Sequence, residues 1–115
     1  MLTIEALKAY GANTDEGLAR CMNMEAFYLR IMGMVLVDDN FQKLKSAMAA
    51  GDAAAAFEAA HALKGSTGNV SLTPIYEPVC RLSDLLKGRT GQPISPECEL
   101  LAAEVQAQFE RLKAL

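Results

Sequence analysis

The chain has 115 residues, 51% hydrophobic and 22% charged, which suffices for one compact core and falls short of two. Eleven Lys and Arg against fourteen Asp and Glu give a formal charge of -3, and this argues against nucleic acid as a partner, because phosphate backbones need a concentrated positive face. Three widely spaced cysteines, Cys21, Cys80 and Cys98, with a single histidine cannot build an ordinary structural zinc site and read as reduced cytosolic thiols.

Met1 to Gly11 carries Glu5 and Lys8 inside its apolar pattern and has no basic start of a secretory leader. The longest apolar run, Ile31 to Val37, is far shorter than the roughly 20 residues of a membrane helix. Both readings predict a cytoplasmic protein that does not engage a membrane. Thr3 to Tyr10 and Asp15 to Met22 read as short helices, the second capped by Thr14; each is too small to stand alone, so residues 1–23 are expected to pack against one end of a larger body.

From Met24 to about Ala50, Phe27, Ile31, Met34, Val37, Phe41, Leu44 and Met48 recur at three- and four-residue steps. The spacing predicts one helix, roughly 40 Å long at ~1.5 Å per residue, with Asp38, Asp39 and Asn40 on its wet face and the methionines as core filling. Gly51 ends that helix and Asp52 caps the next, whose buried stripe is Ala56, Ala60, Leu63, Thr67 and Val70. Thr73-Pro74 opens a third segment with Ile75, Val79, Leu82 and Leu86 inward, where Pro78 removes a backbone donor and is expected to delay or kink the first turn. Ser95-Pro96-Glu97 opens the last, with Leu101, Val105, Phe109 and Leu112 inward. Residues 24–115 are therefore expected to form an all-α, antiparallel up-and-down four-helix bundle, in a single domain over residues 1–115.

His61 is the one position that looks chemical. At ~100° per residue, Leu63, Ala56 and Val70 lie on the far side of the wheel, so the imidazole points away from the core. Lys64 and Gly65 share its face, as does Gly68 two turns on. Glycine inside a helix costs about 0.5–1 kcal/mol against alanine, so a compensating use is expected: bare backbone leaves room for something bulky on the ring, and Lys64 complements an anion held there. A phosphoryl group on the imidazole satisfies all these features. Imidazole is nucleophilic near neutral pH and needs no buried base at an exposed site.

The segment Ala60-His61-Ala62-Leu63-Lys64-Gly65-Ser66-Thr67-Gly68-Asn69-Val70-Ser71-Leu72 resembles the His-x-x-Lys-Gly signature of histidine-containing phosphotransfer (HPt) domains of two-component phosphorelays. Leu44 to Asp52, ending in the Ala-Ala-Gly-Asp turn, resembles the helix end that precedes it. The resemblance implies a carrier, not an enzyme with its own nucleotide site: His61 accepts a phosphoryl group from a receiver-domain aspartate and passes it to another. It further implies that Lys64 stabilises the phosphate and Gly65 gives clearance. No cofactor is expected on the chain, Mg²⁺ belonging to the receiver partner, and a monomer is expected. The chain departs from the family pattern at Ser71, where many members have glycine, and at Ser83, where some place a glutamine; Ser83 or Asp84 is left to accept the ring N–H.

The docking surface for receiver domains of response regulators or hybrid kinases is expected around His61. Ala54, Phe57, Glu58 and Gly68 lie on or near its ridge, with Phe57 as an exposed apolar centre, and Phe41 and Lys45 come from the preceding helix. The alternative functions are a non-phosphorylated adaptor that binds receivers or kinases through the same face, and a purely structural helical bundle.

Overall fold

The computed structural model describes residues 2–115 and is all-helical in that span. The helices are α1 (Ile4–Tyr10), α2 (Thr14–Arg20), α3 (Glu25–Leu36), α4 (Asn40–Ala50), α5 (Ala53–Asn69), α6 (Thr73–Leu86) and α7 (Pro96–Lys113). α5 packs on α4 and α6, α6 on α7, and α4 also meets α7, so the last four helices close around one core. Among the described residues no helix is long and apolar enough to cross a membrane.

The single helix expected from Met24 to Ala50 is two helices. Asp38 Oδ1 accepts both the backbone N–H and the side-chain amide of Asn40, each at 2.9 Å. This local Asx turn takes the N–H out of the helical ladder, so the Asp-Asp-Asn triplet is the break. Across it the buried face changes phase: Tyr28, Met32 and Val35 point inward before the break, and Phe41, Leu44 and Ala47 after it. The expected stripe is thus wrong in its first half, with Phe27, Met34 and Val37 exposed, Val37 by 82%. Met34 and its neighbours Met22 and Met24 lie on the surface; only Met32 of that group fills the core.

The other element boundaries follow local chemistry. Gly51 closes α4 in the left-handed conformation (φ 68°), and Asp52 caps α5 by accepting the Ala55 N–H at 3.1 Å. Ser95 accepts the Cys98 N–H to start α7. α2 is capped by Asn13, which accepts the Glu16 N–H at 3.2 Å, and Thr14 is its first helical residue and not its cap. α6 begins at Thr73 without delay, with Pro78 inside it; the proline forfeits only the bond that would reach the Pro74 carbonyl. Ile75, Val79, Leu82 and Leu86 are buried as their spacing requires, as are Val105, Phe109 and Leu112, with Leu101 half-buried.

The N-terminal helices pack where α5 turns into α6 and where α7 ends. Tyr10 donates its hydroxyl to the Gln108 carbonyl at 2.8 Å beneath the Arg111 guanidinium. Tyr28, fully buried, donates to the Val70 carbonyl at 3.0 Å. Its ring lies on Gly17, where a Cβ would come within 2.6 Å of it, which explains a glycine in the middle of α2. Burial pushes the phenols of Tyr10 and Tyr28 up to about 12. A raised folded-state pKa stabilises below the unfolded value and loses that contribution as pH rises through the folded value. Stability is therefore expected to fall between pH 10 and about 12. Tyr28→Phe should cost roughly 0.5–1.5 kcal/mol at neutral pH and make the alkaline loss shallower, which urea titrations across that range would measure.

Candidate functional site

α5 carries the candidate site because its two faces are so different. Ala56, Ala60, Leu63 and Thr67 are buried against the neighbouring helices, and Thr67 returns its hydroxyl to the Leu63 carbonyl at 2.6 Å. His61, on the opposite face, is exposed, as is Gly65, and Lys64 is half-buried. Among the described residues Lys64 has no acidic partner within ion-pair distance, which leaves its ammonium available to an incoming anion.

An open cleft of about 410 Å³ lies over this face. His61, Lys64 and Gly65 form its α5 side, Glu16 and Arg20 enter from α2, and Tyr76 enters from α6. The two glycines next to the histidine differ. A Cβ on Gly65 would meet nothing within 4 Å, whereas one on Gly68 would stand 2.8 Å from Cε1 of Tyr76. The bare backbone at Gly68 thus seats the Tyr76 ring, and the space kept open beside the imidazole is at Gly65.

The remaining expected site residues are distributed unevenly around His61. Phe57, one turn earlier, is half-buried and not exposed; its ring packs on the imidazole with centroids 5.6 Å apart and planes 21° from parallel. Ala54 is half-buried two turns before His61, and Glu58 is exposed in a groove between α4 and α5. Lys45 lines a groove between α4 and α7 and does not reach the His61 cleft. Phe41 is a core residue, stacked on Phe109 with centroids 3.7 Å apart; its inclusion in a docking surface is corrected by the phase change after Asp38. Ser83 is buried and Asp84 exposed, and among the described residues neither hydrogen-bonds the imidazole.

Arg20, Glu16 and Tyr76 were not anticipated from the sequence. Tyr76 reaches the cleft from α6 over Gly68, and Glu16 and Arg20 reach it because the N-terminal segment is bonded to the α5–α6 turn. The Asn13 N–H donates to the Ser71 carbonyl at 3.0 Å, and the Ser71 hydroxyl donates to Glu16 Oε1 at 2.8 Å. Arg20 Nη2 donates to the same Glu16 oxygen at 3.3 Å. The Ser71 hydroxyl, with a smaller contribution from Arg20, holds the Glu16 carboxyl below the usual carboxylate range. Ser71 itself has φ +53°, a left-handed conformation that glycine adopts freely and serine does not. The departure from glycine expected at Ser71 thus falls on a left-handed residue, and the bond to Glu16 is what the serine hydroxyl makes there.

The family model for the Hpt domain matches residues 34–115. No curated protein and no solved structure matches the chain. The matched span takes in α4 to α7, with His61, Lys64 and Gly65 inside it, and leaves α1, α2 and most of α3 outside. With well over half its length matched, the chain belongs to the Hpt domain family of two-component phosphorelay proteins.

Proposed function

We propose that this protein is a phosphorelay carrier in which His61 is the phosphorylated residue. Hpt domains are phosphotransfer carriers that interact with receiver domains and have no kinase activity. The observation that carries the assignment to His61 is its place in the cleft: the chain's sole imidazole is exposed, beside the Lys64 ammonium, with open space over Gly65.

In the proposed reaction a lone pair on one ring nitrogen attacks the phosphorus of a receiver's aspartyl phosphate. The P–N bond forms as the P–O bond to the aspartate breaks, and that electron pair leaves on the carboxylate oxygen. The proton on the second ring nitrogen then passes to solvent, and transfer to the next receiver reverses these steps. Lys64 sits where it complements the charge on the phosphoryl oxygens, and the partner supplies Mg²⁺ and the in-line geometry. The chain itself acts without a cofactor.

α4 to α7 are assigned as an antiparallel up-and-down four-helix bundle, supported by the closed ring of helix contacts and by the tight Gly51-Asp52 turn. The whole of residues 1–115 is assigned to one domain, acting as a cytoplasmic monomer. Receivers are assigned to the surface bearing Ala54, Phe57, Glu58 and Gly68 around His61, without Lys45.

The two glycines give a test independent of His61. Gly65→Ala is expected to raise stability by roughly 0.5–1 kcal/mol, the helix-propensity gain in open space, while slowing phosphoryl acceptance about tenfold by narrowing the approach. Gly68→Ala gains no stability, because its Cβ displaces the Tyr76 ring. Melting curves and transfer rates on the two variants separate these effects. The reading as a whole is tested by incubating the protein with phosphorylated receivers carrying labelled phosphate. Label that needs His61, survives alkali and is lost in acid supports it; binding without label supports an adaptor instead.

A further inference from the structure

We propose that Arg20 is a second cationic ligand of the phosphoryl group, facing His61 across the cleft from Lys64; this rests on the phosphotransfer reading above. Arg20 and Lys64 line the same cleft from different helices, α2 and α5, so an anion on His61 lies between two cations and not beside one. Arg20 belongs to the part of the chain outside the matched family span, residues 34–115.

The supporting geometry is a latch. The Ser71 hydroxyl and Arg20 share Glu16 Oε1, and the Asn13 N–H and Tyr28 hydroxyl fix α2 and α3 to the neighbouring backbone carbonyls of Ser71 and Val70. α2 is thereby held over the α5–α6 turn, with Arg20 lining the cleft. A bare Glu16 carboxylate there would repel a phosphoryl group. Arg20 neutralises it, and the planar guanidinium has five donors, so it keeps its bond to Glu16 while offering others to the phosphoryl oxygens. Glu16 and Ser71 are positioning residues in this arrangement. The Ser71 hydroxyl that completes the latch comes from a left-handed backbone, φ +53°, a conformation costly for serine.

Phosphoramidate, a small donor, isolates this role from receiver docking. The imidazole nitrogen attacks its phosphorus, the P–N bond to the protonated amine breaks with the electron pair leaving as ammonia, and the second ring proton goes to solvent. Arg20→Ala is expected to slow acceptance from phosphoramidate roughly tenfold, as loss of one charge-assisted hydrogen bond at a half-exposed site would. Arg20→Lys, which keeps the charge without the fork, should slow it about threefold. Melting curves confirm that each variant is folded. Equal rates for wild type and Arg20→Ala, with label on both, would overturn the role of Arg20 alone. Slowing seen only with a phosphorylated receiver would also overturn it, making Arg20 a docking residue. No label on the wild-type protein from either donor would overturn the phosphotransfer reading and the Arg20 proposal with it.

Discussion

Replacing His61 by glutamine is expected to abolish phosphoryl acceptance from any receiver while leaving the fold intact. The side chain is exposed and, among the described residues, makes no hydrogen bond; its ring packs on that of Phe57. Surface substitutions of this kind change stability by no more than about 0.5 kcal/mol. Glutamine keeps polarity and approximate length but has no nucleophilic nitrogen, so the chemical step is lost outright and not merely slowed. Circular dichroism melts beside a phosphotransfer assay measure both halves. A cooperative loss of helicity in His61→Gln would mean that the imidazole is structural, contrary to its position on the wet side of α5.

Phe41→Ala is expected to have the opposite signature. Phe41 is 2% exposed, stacked on Phe109, and its carbonyl accepts the Gln106 side-chain amide at 2.8 Å. Truncating a buried phenylalanine costs roughly 3–5 kcal/mol through lost transfer energy and the cavity left behind, a large part of the stability of a domain this size. The loss falls at the junction of α4 and α7, away from the cleft. Urea titration should therefore show a large drop in midpoint, while the protein that stays folded accepts phosphate at the wild-type rate. A specific loss of transfer at unchanged stability would return Phe41 to the docking surface.

Phe41 also marks where the sequence could be read and where it could not. The α5 face was legible because its signals are local: the Asp52 cap, the Ala56 to Val70 stripe, and a histidine opposite that stripe. The break after α3 was not, because Phe27, Ile31, Met34 and Val37 keep helical spacing right up to it. What ends the helix is a two-residue side-chain turn at Asp38, and this outweighs a periodicity that continues through it. Met34 of the expected stripe thus lies on the surface, and Met32, two positions earlier, takes its place in the core.

The far side of the cleft was illegible for a different reason. Glu16 and Ser71 are 55 positions apart, and nothing local pairs them. Two sequence features did mark the region. Gly17 sits inside a short helix where it needs a reason, and that reason is the Tyr28 ring. Ser71 is a non-glycine residue with a left-handed backbone at a turn, and its hydroxyl is bonded to Glu16. Reading them as one feature required the tertiary structure that brings α2 onto the α5–α6 turn.

The central claim is that the phosphoryl group is carried on the imidazole of His61. Because the chain has one histidine, ³¹P and ¹⁵N spectra of protein labelled at histidine nitrogen and loaded from a phosphorylated receiver address it without ambiguity. A phosphoramidate resonance coupled to one ring nitrogen is the expected result. Phosphorus on a carboxylate or hydroxyl, or an unmodified imidazole in a complex that still binds the receiver, would contradict it.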